Sequence, residues 1–312
     1  MRLKKILMAV LLSGFLLPAA AQTREELSET YSGRYDLVVS KLGYAGVGVD
    51  TILNQWEQVD STNVKMLTAR FNYYFTKAQS SSVVVKPEKK YLGADPVLTL
   101  KDSTGRDVYY YQEVSYDDAL FSDAMRYLDK AIEADPFRID LRFTKVTALM
   151  SYEKDSPDMA LSYLLRLVDK DASEDCVWVY PGYEIGDDFF KQSMQEYCAA
   201  FYTIGTPSSY EAFRTLSERM LMIYPKDAVF ITNLGTYDFI VAKDYPKALK
   251  YYKKALKIAP DDYSALKNCV LLARRQKDNK LEKKYLEKFA AVAPENERQA
   301  AEARLKYLDG QD

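Results

Sequence analysis

Three prolines set the period of this chain. Pro225, Pro260 and Pro294 stand 35 and 34 residues apart, and each closes a stretch of helical periodicity: Ser208 to Tyr224, Tyr245 to Ala259, and Leu281 to Ala293. Proline lacks the N–H that a helix interior needs, so it punctuates helices rather than continuing them. A unit of this length that recurs at fixed spacing cannot bury its apolar face alone, and stacked neighbours must supply the missing core. Glycine (12) and proline (11) are otherwise scarce among 312 residues, which favours long helices over a many-stranded fold.

Within the middle unit the chain reads Asn233-Leu234-Gly235, then Asp244-Tyr245-Pro246 and a lysine-rich helix to Pro260. Ala248, Tyr251, Tyr252 and Ala255 recur at spacings of three and four, on one helix face. Ala124, Leu128 and Ala131 repeat the small-large-small order before Pro136, and Ala160 to Leu167 fits with Leu167 as its second small position. These residues resemble the tetratricopeptide repeat, a helix-turn-helix unit of about 34 residues. Gly33-Arg34-Tyr35-Asp36 resembles the turn inside an N-terminal copy, and Val49 to Asp60, with Trp56, a second helix. Five or six repeats are expected over residues 22–312, with a cap helix at about 295–309. The fold class implied is an all-α tetratricopeptide-like solenoid.

Two interruptions break the helical text. At about 76–116, Val83-Val84-Val85, Val97 to Leu100 and Val108 to Tyr111 are β-branched or aromatic runs, and Asp102-Ser103-Thr104-Gly105 reads as a hairpin turn with Gly105 at positive φ. A small β-hairpin insertion is expected there. Asp171 to Gly186 reads as a loop carrying Trp178, Tyr180 and Tyr183.

The first residues speak to compartment. Arg2, Lys4 and Lys5 precede the apolar run Ile6 to Leu17, and Pro18 leads to Ala19-Ala20-Ala21 before Gln22. This is the pattern of a secretory signal peptide over residues 1–21, with no cysteine at the cleavage point to carry a lipid anchor. A periplasmic or secreted protein without a stable membrane anchor after cleavage is expected. Cys176, Cys198 and Cys269 are an odd number in an oxidising compartment. Cys269 lies on an apolar helix face, and bridging of Cys176 to Cys198 stays open.

The chain has no histidine, which removes Ser-His-Asp and Cys-His catalysis and histidine-based metal sites. Asp102-Ser103-Thr104-Gly105 differs by one residue from an aspartic-protease motif and has no second copy. Gly43, Gly46 and Gly48 do not match G-x-G-x-x-G, and an interhelix loop accounts for them. Asp187-Asp188 and Asp261-Asp262 are read as helix N-caps. No cofactor or metal is expected, and no enzymatic activity.

Charge is unevenly placed. Overall it is −2, yet Lys243 to Lys288 holds 14 Lys+Arg against 6 Asp+Glu. Lys250, Lys253, Lys254 and Lys257 read as solvated charge on an outer face. The tetratricopeptide resemblance implies a non-enzymatic envelope scaffold whose concave groove, lined by the first helix of each unit, holds a peptide or protein segment. Asn233, Lys267, Asn268 and Arg274 stand on those first helices. They are the expected partner-binding residues, suited to an acidic segment or a free carboxylate; nucleic acid is not an expected partner. The alternative is a glycan-binding accessory protein using Trp178, Tyr180 and Tyr183.

Overall fold

The structure, a computed structural model, describes residues 23–173 and 176–310. The signal-peptide expectation lies outside the described residues. Thirteen α-helices are present among those described. They pack as consecutive antiparallel pairs: α1 (Arg24–Leu42) with α2 (Val49–Val59), α3 (Val64–Ala78) with α4 (Asp118–Ala134), and α5 (Ile139–Glu153) with α6 (Asp158–Asp171). Then come α7 (Phe189–Ile204) with α8 (Pro207–Ile223), α9 (Ala228–Tyr237) with α10 (Tyr245–Ile258), and α11 (Tyr263–Gln276) with α12 (Asn279–Val292). A final helix, α13 (Glu295–Asp309), packs on α12.

Proline and aspartate together draw the joints. Asp227 and Asp262 stand two residues after Pro225 and Pro260, and each carboxylate accepts N–H bonds from the first turn of the next helix. Such a cap is worth about 1 kcal/mol. Inside the units, Lys243-Asp244 and Lys277-Asp278 make the same tight turn: the lysine takes φ of +55° or +58° and the aspartate caps the second helix. Asp188 begins α7 without a side-chain cap bond, because its carboxylate lies 2.8 Å from Lys191 Nζ instead. The expected N-cap at Asp187 is therefore not formed.

The N-terminal turn is also displaced from its expected place. Gly33 to Asp36 lie in the middle of α1, and the bend comes at Gly43 and Gly48, with φ of +77° and +88°. Arg34, Leu37, Lys41 and Leu42 are strong helix formers past Gly33, whereas Gly43-Tyr44-Ala45-Gly46 cannot sustain a helix.

The insertion leaves the second pair intact. Strands β1 (Gln79–Lys86), β2 (Leu98–Lys101) and β3 (Asp107–Tyr116) form an antiparallel sheet in the order β1-β3-β2. Gln79 pairs with Tyr116 and Asp117 N donates to Ala78 O at 2.8 Å, so the chain leaves α3 and re-enters α4 at one point. Gly105 turns between β2 and β3 at φ +83°, and Asp102 Oδ1 accepts from Thr104 N and Arg106 N. Tyr111 is the sheet's buried residue, under Tyr91, and its hydroxyl donates to Glu88 O.

Inside, small residues of one helix meet larger ones of its partner. Any Cβ at Gly235 would lie 2.6 Å from a ring carbon of Tyr252, which is fully buried. In the flanking units Cys198 Sγ lies 3.5 Å from Ser217 Oγ, and the thiol of Cys269 meets Tyr285. Cys198 and Cys269 are buried, all three cysteines are free thiols, and the bridge left open between Cys176 and Cys198 is not formed. Burial pushes both the Cys198 and the Cys269 thiol up to about 12.

Candidate functional site

The first helices of the six pairs are α1, α3, α5, α7, α9 and α11. Between α3 and α5 lies a cavity of about 730 Å³. One wall is the α3 stripe Phe71, Asn72, Phe75 and Thr76. The other is the α5 stripe Asp140, Phe143, Thr144, Thr147 and Ser151, whose steps of three, four and one keep it on one face. Tyr44 from the α1–α2 loop and Tyr180 from the loop before α7 close its ends.

Each wall is fixed from behind. Phe75 packs on Phe71 at 5.3 Å and on Tyr116 at 5.5 Å between ring centroids, and Phe143 meets Tyr197 edge-on at 5.6 Å. Ser151 Oγ lies 2.5 Å from the Tyr116 hydroxyl, which ties the insertion to the groove. Asp140 is the one carboxylate in the lining among the described residues, and Arg138 grips it with two bonds of 2.8 and 2.7 Å. That pairing holds the Arg138 guanidinium above its ordinary pKa. The cavity thus presents aromatic rings, hydroxyls and an amide, with its single acid neutralised.

Tyr180 reaches the cavity because its loop is pinned as a short bridge. Val179 N donates to Phe137 O at 2.9 Å, and Ile139 N donates to Val179 O at 3.0 Å. Tyr180 and Tyr183 lie ring to ring at 4.8 Å. Trp178 is separate from them: its indole N–H donates to Asp171 at 2.8 Å, its ring stacks on Phe190, and Arg142 and Lys170 lie over it. The three aromatics do not form one exposed platform, since only Tyr183 is exposed while Trp178 and Tyr180 are half-buried.

The four residues on α9 and α11 take up bonds within the chain. Asn233 is buried, donating to Gln195 Oε1 at 2.7 Å and Ser217 Oγ at 3.1 Å. Asn268 donates to Thr236 Oγ1 at 3.0 Å. Each amide thus reaches back to a helix of the preceding unit, Asn233 to α7 and α8 and Asn268 to α9, and ties unit to unit. Lys267 and Arg274 share a smaller cavity of about 300 Å³ beneath α13. Lys267 Nζ lies 3.1 Å from Glu297 and 3.0 Å from the Tyr263 hydroxyl. Arg274 Nε lies 2.9 Å from Glu282, which Arg304 also holds by two bonds of 2.9 Å.

Paired helices in register, a small residue opposite a bulky one, and a capped end now stand together. The fold is tetratricopeptide-like. No protein-family model matches the sequence, and no curated protein does. Among solved structures, this chain is similar to PilF of Pseudomonas aeruginosa at 13% identity, covering 89% of this chain and 98% of that one, with a TM-score of 0.33. It is similar to YrrB, described as a TPR protein with an unusual peptide-binding site, at 16% identity over 80% and 98% of the two chains, TM-score 0.35. The flexible tandem repeat domain of a bacterial cellulose synthase aligns at 16% identity over 93% and 99%, TM-score 0.27.

Sequence reasoning passed over the α3/α5 cavity in this tetratricopeptide-like chain because it weighed charge. The signal that was present is the run of hydroxyls Thr144, Thr147 and Ser151 at helical spacing, where a buried face would show aliphatic residues. Tyr44 and Tyr180 carried no such signal, since they stand 136 positions apart in loops.

Proposed function

We propose that this chain is a non-enzymatic scaffold of the bacterial envelope that holds an extended, uncharged segment of a protein partner between α3 and α5. The observation that carries the reading is the lining of that cavity: aromatic walls for one or two apolar side chains, and Asn72, Thr144 and Thr147 for backbone amides. An acidic segment is the poorer fit. Lys267 and Arg274 already face carboxylates of the chain itself. The envelope placement rests on the basic start, apolar run and Ala19-Ala20-Ala21 site of the leader.

A peptide-library selection against the chain from Gln22 tests this. Selected peptides should be neutral, with an aromatic or branched aliphatic anchor. Thr147→Lys, on an exposed position, should weaken them at least about tenfold, or about 1.4 kcal/mol. Selection of acidic peptides indifferent to Thr147→Lys, and lost on reversing Lys267, would return the site to α11.

A further inference from the structure

One helix carries a charge pattern that neither the α3/α5 cavity nor the packing uses. Helix α10 contains Lys247, Lys250, Lys253, Lys254 and Lys257 and no Asp or Glu. With Lys243, the residues 247, 250, 254 and 257 step by four and three along a single face. All are exposed. Lys247 lies 3.1 Å from Asp238, but among the described residues none of Lys250, Lys253, Lys254 and Lys257 stands at ion-pair distance from a carboxylate. Like charges at these spacings repel, and an ordinary soluble surface intersperses the two signs. On α12, Lys284 and Lys288 are exposed as well, with Glu287 between them.

We propose that the lysine face of α10 docks the protein on an anionic lipid surface. The side-chain chemistry selects the partner. Lysine is a mobile point charge, whereas a discrete phosphate or carboxylate is gripped by the arginine fork, and the exposed charge of α10 is lysine alone. Stacking platforms of the kind that hold single-stranded nucleic acid are missing as well: Tyr252 is fully buried and Tyr251 is half-buried. A smeared array of four to eight lysines matches a laterally uniform negative surface, with roughly a fivefold gain in affinity per lysine that reaches it. The α10 lysines and the lining of the α3/α5 cavity have no residue in common, so docking through the lysines leaves the cavity residues unoccupied. This inference stands independently of what the groove holds.

The test is vesicle co-sedimentation of the chain from Gln22, which removes the apolar leader. Vesicles of neutral phosphatidylcholine are compared with ones holding roughly a third phosphatidylglycerol at about 0.1 M salt. Binding is expected to the acidic vesicles alone and to vanish at about 0.5 M salt. Lys250→Glu, Lys253→Glu, Lys254→Glu and Lys257→Glu together should cut binding at least about a hundredfold. A matched variant reversing exposed Lys41, Lys89, Lys90 and Lys226 carries the same net charge and should lose less than about threefold, which separates the patch from overall charge. Should the quadruple reversal fail to fold by circular dichroism, the four Lys→Gln changes take its place, with a loss of at least about tenfold expected. Equal binding to both vesicle types, no binding to either, or equal losses in the patch and matched variants would overturn the proposal. So would retention on an oligonucleotide column by a chain that ignores acidic vesicles.

Discussion

Replacing Gly235 with alanine isolates the contact on which each helix pair depends. On an exposed helix, alanine is better than glycine by about 1 kcal/mol, because glycine has more backbone freedom to lose. Here the added methyl would sit 2.6 and 2.8 Å from two ring carbons of Tyr252 and 3.2 Å from Tyr251 Cβ. Tyr252 cannot retreat, being fully buried with its hydroxyl 3.5 Å from Thr236 Oγ1. Overpacking of this kind costs about 1–3 kcal/mol. Set against the propensity gain, Gly235→Ala should destabilise by about 0–2 kcal/mol. Tyr252→Leu alone should cost about 2–4 kcal/mol for the ring it deletes. In that background the two ring contacts are gone and only the 3.2 Å approach to Tyr251 Cβ remains, so Gly235→Ala should become stabilising by up to about 1 kcal/mol. Urea denaturation of the four proteins of the cycle, followed by circular dichroism, gives the coupling energy, expected at about 2 kcal/mol. The sign reversal is the decisive outcome. If Gly235→Ala shifts stability equally in both backgrounds, the ring does not cover Gly235 and α9 and α10 pair in a different register.

Three further outcomes follow from other parts of the molecule. Replacing residues 80–115 with a short glycine-containing turn should leave the helical signal and cooperative unfolding intact, since Gln79 and Tyr116 are already paired; a molten product would mean that the insertion holds α3 and α4 together. Burial pushes the Glu282 carboxyl up, but the Arg304 and Arg274 guanidiniums outweigh it and hold the pKa below its ordinary value. Its stabilisation is therefore complete above the ordinary carboxylate range, near pH 4.3, and fades as pH falls through the lowered value. Glu282→Gln should cost about 1–2 kcal/mol at neutral pH and flatten that acid dependence, which pH-resolved urea titration would measure. With an aromatic disulfide reagent at mildly alkaline pH, half-buried Cys176 should react in the folded chain while Cys198 and Cys269 stay silent until urea is added; three equally fast thiols would contradict the packing.

The architecture was legible wherever one short-range rule decided it. Pro225, Pro260 and Pro294 punctuate the units, Asp227 and Asp262 cap their helices, and Val83 to Val85 carry the period of a strand. The N-terminal turn was misplaced because Gly33 is tolerated inside a long helix, where local composition does not say whether a glycine bends the chain. The groove was hidden for a different reason. α3 and α5 become neighbours across a sheet of inserted residues, and Tyr180 arrives from a loop pinned by backbone bonds that no side chain advertises. Charge misled in the opposite direction. Lys267 and Arg274 are plain in the sequence, but their partners Glu297 and Glu282 are 30 and 8 residues away, and only the folding of α13 and α12 onto α11 brings them to bear.

The spacing of 35 residues from Pro225 to Pro260, against 34 in the next unit, has its counterpart at Asp238–Ala242, where α9 ends in a π turn. A surplus residue in a regular helix would rotate all that follows by about 100°. Here the wider turn takes up the surplus, Asp244 N still closes onto Asp238 O at 2.9 Å, and Tyr252 arrives opposite Gly235. In a paired strand, by contrast, a slip of one residue sends each side chain to the wrong face. For the lineage of such a gene, this makes a one-codon insertion a survivable event, healed within a turn of where it fell. Arrays built this way can drift in length unit by unit while each copy goes on meeting its neighbours.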